Sequence, residues 1–269
     1  MSRTATENLR LPPLPALPAG VPSYQAELAD VVARIARRFD PVRIILFGSR
    51  AYGHPRPESD VDLMVVMETP LSPSEQAAQI RQEIGRPFPL DVHVRTPDRI
   101  RLGLREHDFF IEDVMRGITV YGGEGLDIMD EDQKEIQPED ELKQATREWL
   151  EKAESDVRIA RIVFAASTLD DHQVCFHCQQ AVEKLLKALL QEREIRFPRS
   201  HDLASLAELA EQEAPELANM QGDLDQLSKC AVDPRYPGLD ISREQATKAL
   251  ATASAVRSLM LAALNVEAA

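Results

Sequence analysis

Between Tyr24 and Phe39 the apolar residues Leu28, Val31, Val32, Ile35 and Ala36 recur at helical spacing, with Arg34, Arg37 and Arg38 toward the other side. This predicts an amphipathic helix ended by Pro41. The period then changes. Val42–Phe47 is a β-branched apolar run bounded by Gly48, Val61–Met67 is a second such run, and Phe88–Val94 has alternating character, so all three read as strands. Ser72–Ile84, Pro97–Leu104 and Asp108–Arg116 read as helices, and Ile118–Tyr121 as a short closing strand. Strands and helices interleaved in this way predict an α/β domain.

From Leu142 onward only the helical period remains, in Leu142–Ala166, Asp171–Glu192, His201–Gln212, Pro215–Cys230 and Ser242–Val266. The second half is therefore expected to be an all-α bundle. Between the halves, Gly122–Asp140 is rich in Gly, Asp and Glu and has too few large apolar residues to repay its ordering entropy by burial. At the other end LPPLPALPAGVP favours an extended path, because proline removes backbone donors and fixes φ. The expected organisation is a proline-rich flexible or surface-laid tail over 1–22, an α/β domain over 23–122, an acidic linker over 123–140 and a helical domain over 141–269.

Charge supports that division. The net charge is -14, but residues 1–122 hold 15 Arg and no Lys against 16 acids, while the remainder holds 16 Lys plus Arg against 29 acids. Nine of those acids lie between Glu124 and Glu141. An acidic balance disfavours sequence-independent binding to nucleic acid, where phosphate neutralisation supplies most of the affinity. The three cysteines, Cys175, Cys178 and Cys230, come without a cleavable signal peptide, and their odd number argues for a reducing interior rather than a disulfide framework. No apolar run has the length of a membrane span. A cytoplasmic protein without a membrane partner is expected.

The chemically loaded stretch is ILFGSRAYGHPRPESDVDLMVV, where Gly48-Ser49 ends one strand and Asp60 and Asp62 begin the next. Residues two apart on a strand point the same way, so Asp60 and Asp62 are expected to share a face opposite Val61 and Leu63. Paired carboxylates repel unless a cation compensates them, and hard oxygen ligands suit Mg²⁺ or Mn²⁺ held together with substrate phosphates. Gly48 permits close backbone approach and unusual dihedrals, and Ser49 adds a hydroxyl beside the exposed amides, so the pair is suited to a triphosphate. Asp91, in PLDVHV on the third strand, would join the first two carboxylates if that strand neighbours theirs in a compact sheet. Three carboxylates can hold two ions, one activating an attacking hydroxyl and one neutralising a leaving pyrophosphate.

Gly-Ser, ten residues, Asp-x-Asp on the next strand and a later Asp resemble the nucleotidyltransferases related to DNA polymerase β, and among them the minimal nucleotidyltransferases (MNT). The resemblance covers about Tyr24–Tyr121 and implies a small mixed sheet flanked by helices. It also implies that Asp60, Asp62 and Asp91 bind two Mg²⁺ or Mn²⁺ ions, with Gly48 and Ser49 contacting the β- and γ-phosphates and Arg50 within reach of them. Arg95, Arg99, Arg101 and Arg105 are either an acceptor groove or ordinary solvated arginines.

In the second half FHCQQAVEKLLKALL, RSHDLASL and VDPRYPG resemble the HEPN domain, a helical bundle often fused to or encoded beside MNT domains. Some HEPN members are ribonucleases with an Arg-x-x-x-x-His motif late in the bundle; here no His follows His201, which disfavours cleavage. Val174, Cys178, Ala181, Val182, Leu185 and Leu189 form a core stripe. His177, Gln180, Lys184 and Lys187 fall on the other side. His177, Gln180, Lys184, Arg235 and Tyr236 are candidates for a polar acceptor or nucleotide pocket, with His201 near them. Cys175-x-x-Cys178 reads as core packing rather than as half of a zinc or redox site.

Together the two resemblances imply a metal-dependent enzyme. It would transfer a nucleoside monophosphate, with ATP as the expected donor, to an unidentified small molecule, protein or RNA, with the helical domain binding acceptor or forming a homodimer. The alternative is a fused toxin-antitoxin type of protein, in which the first half modifies a protein or RNA and the second is an RNA-binding or RNase module. The general base is left between Asp91 and a helical-domain carboxylate such as Glu183.

Overall fold

The apolar stripe of the first helix becomes α1 (Gln25–Phe39), which buries Leu28, Val31, Val32, Ile35 and Ala36 and stops where Asp40 turns left-handed (φ 46°) ahead of Pro41. The computed structural model describes residues 11–85, 87–122, 142–166, 171–198, 200–232 and 241–267. It divides into two compact units, Met1–Ile136 and Gln137–Ala269.

In the first unit β1 (Arg43–Phe47), a short turn of helix α2 (Ser49–Tyr52) and β2 (Val61–Val66) are followed by α3 (Pro73–Ile84) and β3 (Leu90–Arg95). Then come α4 (Pro97–Arg105), α5 (Phe109–Met115) and β4 (Ile118–Tyr121). The four strands form one mixed sheet in the order β3-β2-β1-β4. Strand β1 is antiparallel to β2 and β4, whereas β2 and β3 run parallel. A parallel pair needs a crossover, and α3 supplies it. That helix starts where the sequence says it should, with Ser72 and Glu75 closing a capping box around Pro73.

Strand alternation divides the sheet's side chains between two cores. Ile44, Leu46, Val61, Leu63, Val65, Val92 and Val94 face α1 and α3. Ile45, Phe47, Met64 and Val66 face the other way and meet Ile100 of α4 and Ile111 and Val114 of α5. Part of the proline-rich segment joins the first of these cores, since Leu11 and Leu14 pack against it. The sequence expectation of a tail thus becomes, over its described residues, a strap held on the domain by apolar contact.

The second unit is helical throughout its described residues: α6 (Gln144–Ala165), α7 (Asp171–Glu192), α8 (Leu203–Ala210), a 3-10 segment (Pro215–Met220), α9 (Gln221–Val232) and α10 (Arg243–Ala263). Helix α7 is its centre. It buries residues around most of its circumference, from Val174 to Gln191, because α6, α8, α9 and α10 all pack on it. One cysteine expectation is corrected. Cys175 of α7 and Cys230 of α9 form a disulfide, their Cα atoms 5.7 Å apart, leaving Cys178 as the free, buried thiol. Packing of α7 against α9 brings together residues 55 apart in sequence, at the usual disulfide spacing. Burial pushes the Cys178 thiol up to about 12, against a smaller pull from Arg161, so it is a core group and not a nucleophile. Among the described residues no helix is long and apolar enough to cross a membrane.

Candidate active site

The second sheet face carries the candidate chemistry. Asp62 continues the row Met64–Val66 on β2, and parallel pairing sets it directly opposite Asp91 of β3. Two residues further along β3, and therefore on the same face, stands His93. One ligating atom from each of Asp62, Asp91 and His93 lies within 4.8 Å of the others. The imidazole is half-buried and packs against two rings that also touch each other, with centroids 5.5 Å from Phe47 and 5.4 Å from Phe110.

Asp60 is placed differently. It precedes β2, is exposed, and lines a cavity of about 310 Å³ together with Arg81, Phe88, Leu90 and Asp91. It adjoins the trio through Asp91 without belonging to it. A sequence signal for His93 exists, because Asp91-x-His93 repeats on β3 the two-residue spacing of Asp60-x-Asp62.

Gly48 shapes the other wall. Its dihedrals, φ 73° and ψ -163°, lie in a region essentially restricted to glycine. A Cβ there would stand 2.2 Å from Asp62 Oδ2, so glycine is needed both for the turn and for the carboxylate's approach. Gly48→Ala is expected to displace Asp62 and to destabilise the first domain by about 1–3 kcal/mol, from backbone strain plus the clash. Chemical denaturation measures the loss. A variant as stable as the wild type, with unchanged nucleotide binding, would contradict this account of the turn. Ser49 follows, half-buried, at the start of α2.

Arg50 turns away from its expected role. It is buried; Nε donates to Ser59 O at 2.9 Å, Nη1 to Pro22 O at 2.9 Å, and the guanidinium lies over the Tyr24 ring. Arg50 therefore fastens the proline-rich strap to the turn between β1 and β2. The Nη2 of Arg50 has no hydrogen-bond partner among the described residues. The other arginines are engaged too: Arg99 pairs with Asp108, Arg101 with Asp98, and Arg95 lies over Phe110.

In the helical unit His177 Nδ1 and Lys184 Nζ meet Asp156 of α6, at 2.8 Å and 2.5 Å, and Lys184 also donates to Gln180 Oε1. The three candidates from α7 are thus brought together around the Asp156 carboxylate, whose place here depends on the packing of α6 on α7. Arg235 and Tyr236 lie outside the described residues. A second cluster follows on the same helix. Glu183 accepts from Lys187 at 2.7 Å and from Gln179 at 3.2 Å, with His201 Nδ1 3.0 Å away. Lys187, expected on the polar side, is instead buried near Trp149 and Phe197. Burial alone would raise the Glu183 pKa; hydrogen bonds from Lys187 and His201, with their charges, outweigh it and hold the carboxyl below its ordinary value.

A family model described as a nucleotidyltransferase domain matches residues 28–117, the stretch that holds the carboxylates, and one described as a HEPN domain matches residues 146–263. The chain is a nucleotidyltransferase domain followed by a HEPN domain. No curated protein matches it. Among solved structures, TT1696 from Thermus thermophilus is 21% identical, with a TM-score of 0.39 over 44% of this chain and 97% of its own. ST0689, an archaeal HEPN homologue, is 22% identical, with a TM-score of 0.37 over 44% of this chain and 97% of its own. The spectinomycin adenyltransferase AAD(9) from Enterococcus faecialis, solved with ATP and spectinomycin, is 15% identical, with a TM-score of 0.40 over 86% of this chain and 99% of its own. The nucleotidyltransferase domain makes the protein an enzyme of nucleoside monophosphate transfer in general terms. Its HEPN domain is the all-helical half.

Proposed function

We propose that this nucleotidyltransferase uses divalent metal ions to transfer AMP from ATP to an acceptor, releasing pyrophosphate. The observation that carries the reading is the opposed pair Asp62 and Asp91, two like charges that a sheet tolerates poorly without a cation between them. Asp60, which lines a cavity together with Asp91, completes the carboxylates available to the metals. The bound ions would supply charge neutralisation at the phosphates and lower the pKa of the attacking hydroxyl. Gly48 and Ser49 would seat the triphosphate against the turn whose shape Gly48 permits.

The HEPN domain is assigned acceptor binding or self-association. His177, Gln180 and Lys184 around Asp156 offer polar groups for an acceptor. Ile159 and Ile162, exposed one turn apart on α6, support pairing of two copies, since apolar side chains adjacent on a helix favour a covered face. The test is mass spectrometry of the purified protein and of a cell extract after incubation with ATP and Mg²⁺ or Mn²⁺. An added AMP on a small molecule, protein or RNA is expected and names the acceptor class. No adduct and no pyrophosphate with any nucleoside triphosphate would sink the reading.

A further inference from the structure

The third member of the converging trio has no part in the carboxylate reading. His93 is close enough to Asp62 and Asp91 for one ion to touch all three, and it is positioned with some care. Strand alternation brings it to the carboxylate face, and Phe47 and Phe110 confine its ring on that face. Packing alone would be served as well by a phenyl ring in this aromatic setting. What imidazole adds is a nitrogen beside two carboxylates.

We propose that His93 is a direct metal ligand, and that Asp62, Asp91 and His93 hold a first-row transition ion such as Mn²⁺ in preference to Mg²⁺. The proposal rests on the metal-dependent reading above. Its chemistry is that of the donor set. Mg²⁺ dehydrates reluctantly and takes nearly all-oxygen octahedral ligation, whereas imidazole nitrogen suits transition ions. Two carboxylates and one imidazole give a mixed set that Mn²⁺ accepts and Mg²⁺ gains little from. Aromatic walls on the ring reduce the freedom lost on binding, which favours ligation by this histidine over a mobile surface one.

The test is pulsed electron paramagnetic resonance of Mn²⁺ bound to the full-length chain, alone and with tripolyphosphate, which supplies phosphate oxygens without any nitrogen. The wild type should show a directly coordinated ¹⁴N. His93→Gln and His93→Phe should lose that signal and bind Mn²⁺ about tenfold or more weakly, with a much smaller change in Mg²⁺ affinity measured by competition. His93→Phe keeps a ring packed against Phe47 and Phe110, so unfolding is separable from loss of the ligand. An oxygen-only signature in the wild type overturns the proposal, since it would make His93 a countercharge to the carboxylates; unchanged Mn²⁺ affinity in both variants overturns it too. Both outcomes leave the carboxylate site standing. Absence of Mn²⁺ binding under either condition overturns the proposal, and pyrophosphate release with Mg²⁺ then decides separately whether the metal-dependent reading stands.

Discussion

Replacing Asp62 with Asn is expected to lower pyrophosphate release by at least about 10³-fold while leaving the first domain as stable as before, or more so. The two effects have opposite signs because Asp62 does opposite things in the two settings. With metal and nucleotide bound, its carboxylate anchors the cation; such an ion contributes several kcal/mol to transition-state charge stabilisation. About 4 kcal/mol corresponds to roughly 10³-fold in rate. Without metal, Asp62 directly opposes Asp91 across the β2–β3 pair, and like charges so placed cost on the order of 0.2–1 kcal/mol. Asn has nearly the same shape and should keep the approach to Gly48. The measurements are pyrophosphate release with whole extract as acceptor source, and urea denaturation of metal-free protein. Full activity in the variant would rule out Asp62 as the metal anchor, and a marked loss of stability would mean that it serves the fold.

Much of this site was legible because strand periodicity is a two-residue rule that survives without any tertiary knowledge. Val61–Val66 and Leu90–Arg95 fall within a residue or two of where alternation and β-branching put them, and Asp62 and Asp91 follow from that. The register that sets them opposite one another did not follow, because it depends on the α3 crossover choosing a parallel pairing. Arg50 shows a different failure. An arginine after a phosphate-type turn reads as a ligand contact, but its partners here, Pro22 O and Ser59 O, lie 28 and 9 residues away, and one of them is in a segment expected to be a flexible or surface-laid tail. Helix α7 shows a third. A stripe drawn on one helix assumes one buried face, whereas a central helix contacted from several sides buries polar positions too; Glu183, Lys187 and Gln179 were hidden for that reason. The Cys175–Cys230 pairing likewise depends on which helices become neighbours.

Those buried positions on α7 give the other large expected effect. Glu183→Gln should destabilise the HEPN domain by about 3–5 kcal/mol, because it leaves the buried ammonium of Lys187 without its carboxylate. Glu183 and Lys187 are only 5% and 7% exposed, so water cannot readily take over the pairing. Acid should narrow the difference. The Glu183 pKa is held below its ordinary 4.5, so its stabilising contribution is complete above about that pH and is lost as pH falls through the folded-state value. The gap between wild type and Glu183→Gln should therefore be wide at neutral pH, begin to shrink near pH 4.5 as the unfolded chain takes up protons, and level off only below the lower folded-state pKa, where the native carboxylate is protonated too. Trp149 is the single tryptophan of the chain, and its ring lies 5.6 Å from Lys187 Nζ, so its fluorescence during guanidinium unfolding reports on this domain directly. Adding Lys187→Met to the variant should recover much of the loss, since a buried pair can often be replaced by apolar groups at little cost while a half-pair cannot. If Glu183→Gln instead stays within about 0.5 kcal/mol of wild type, the range of an ordinary surface substitution, then Lys187 has another way to satisfy its charge. The ion pair would then be incidental to the core that α7 organises.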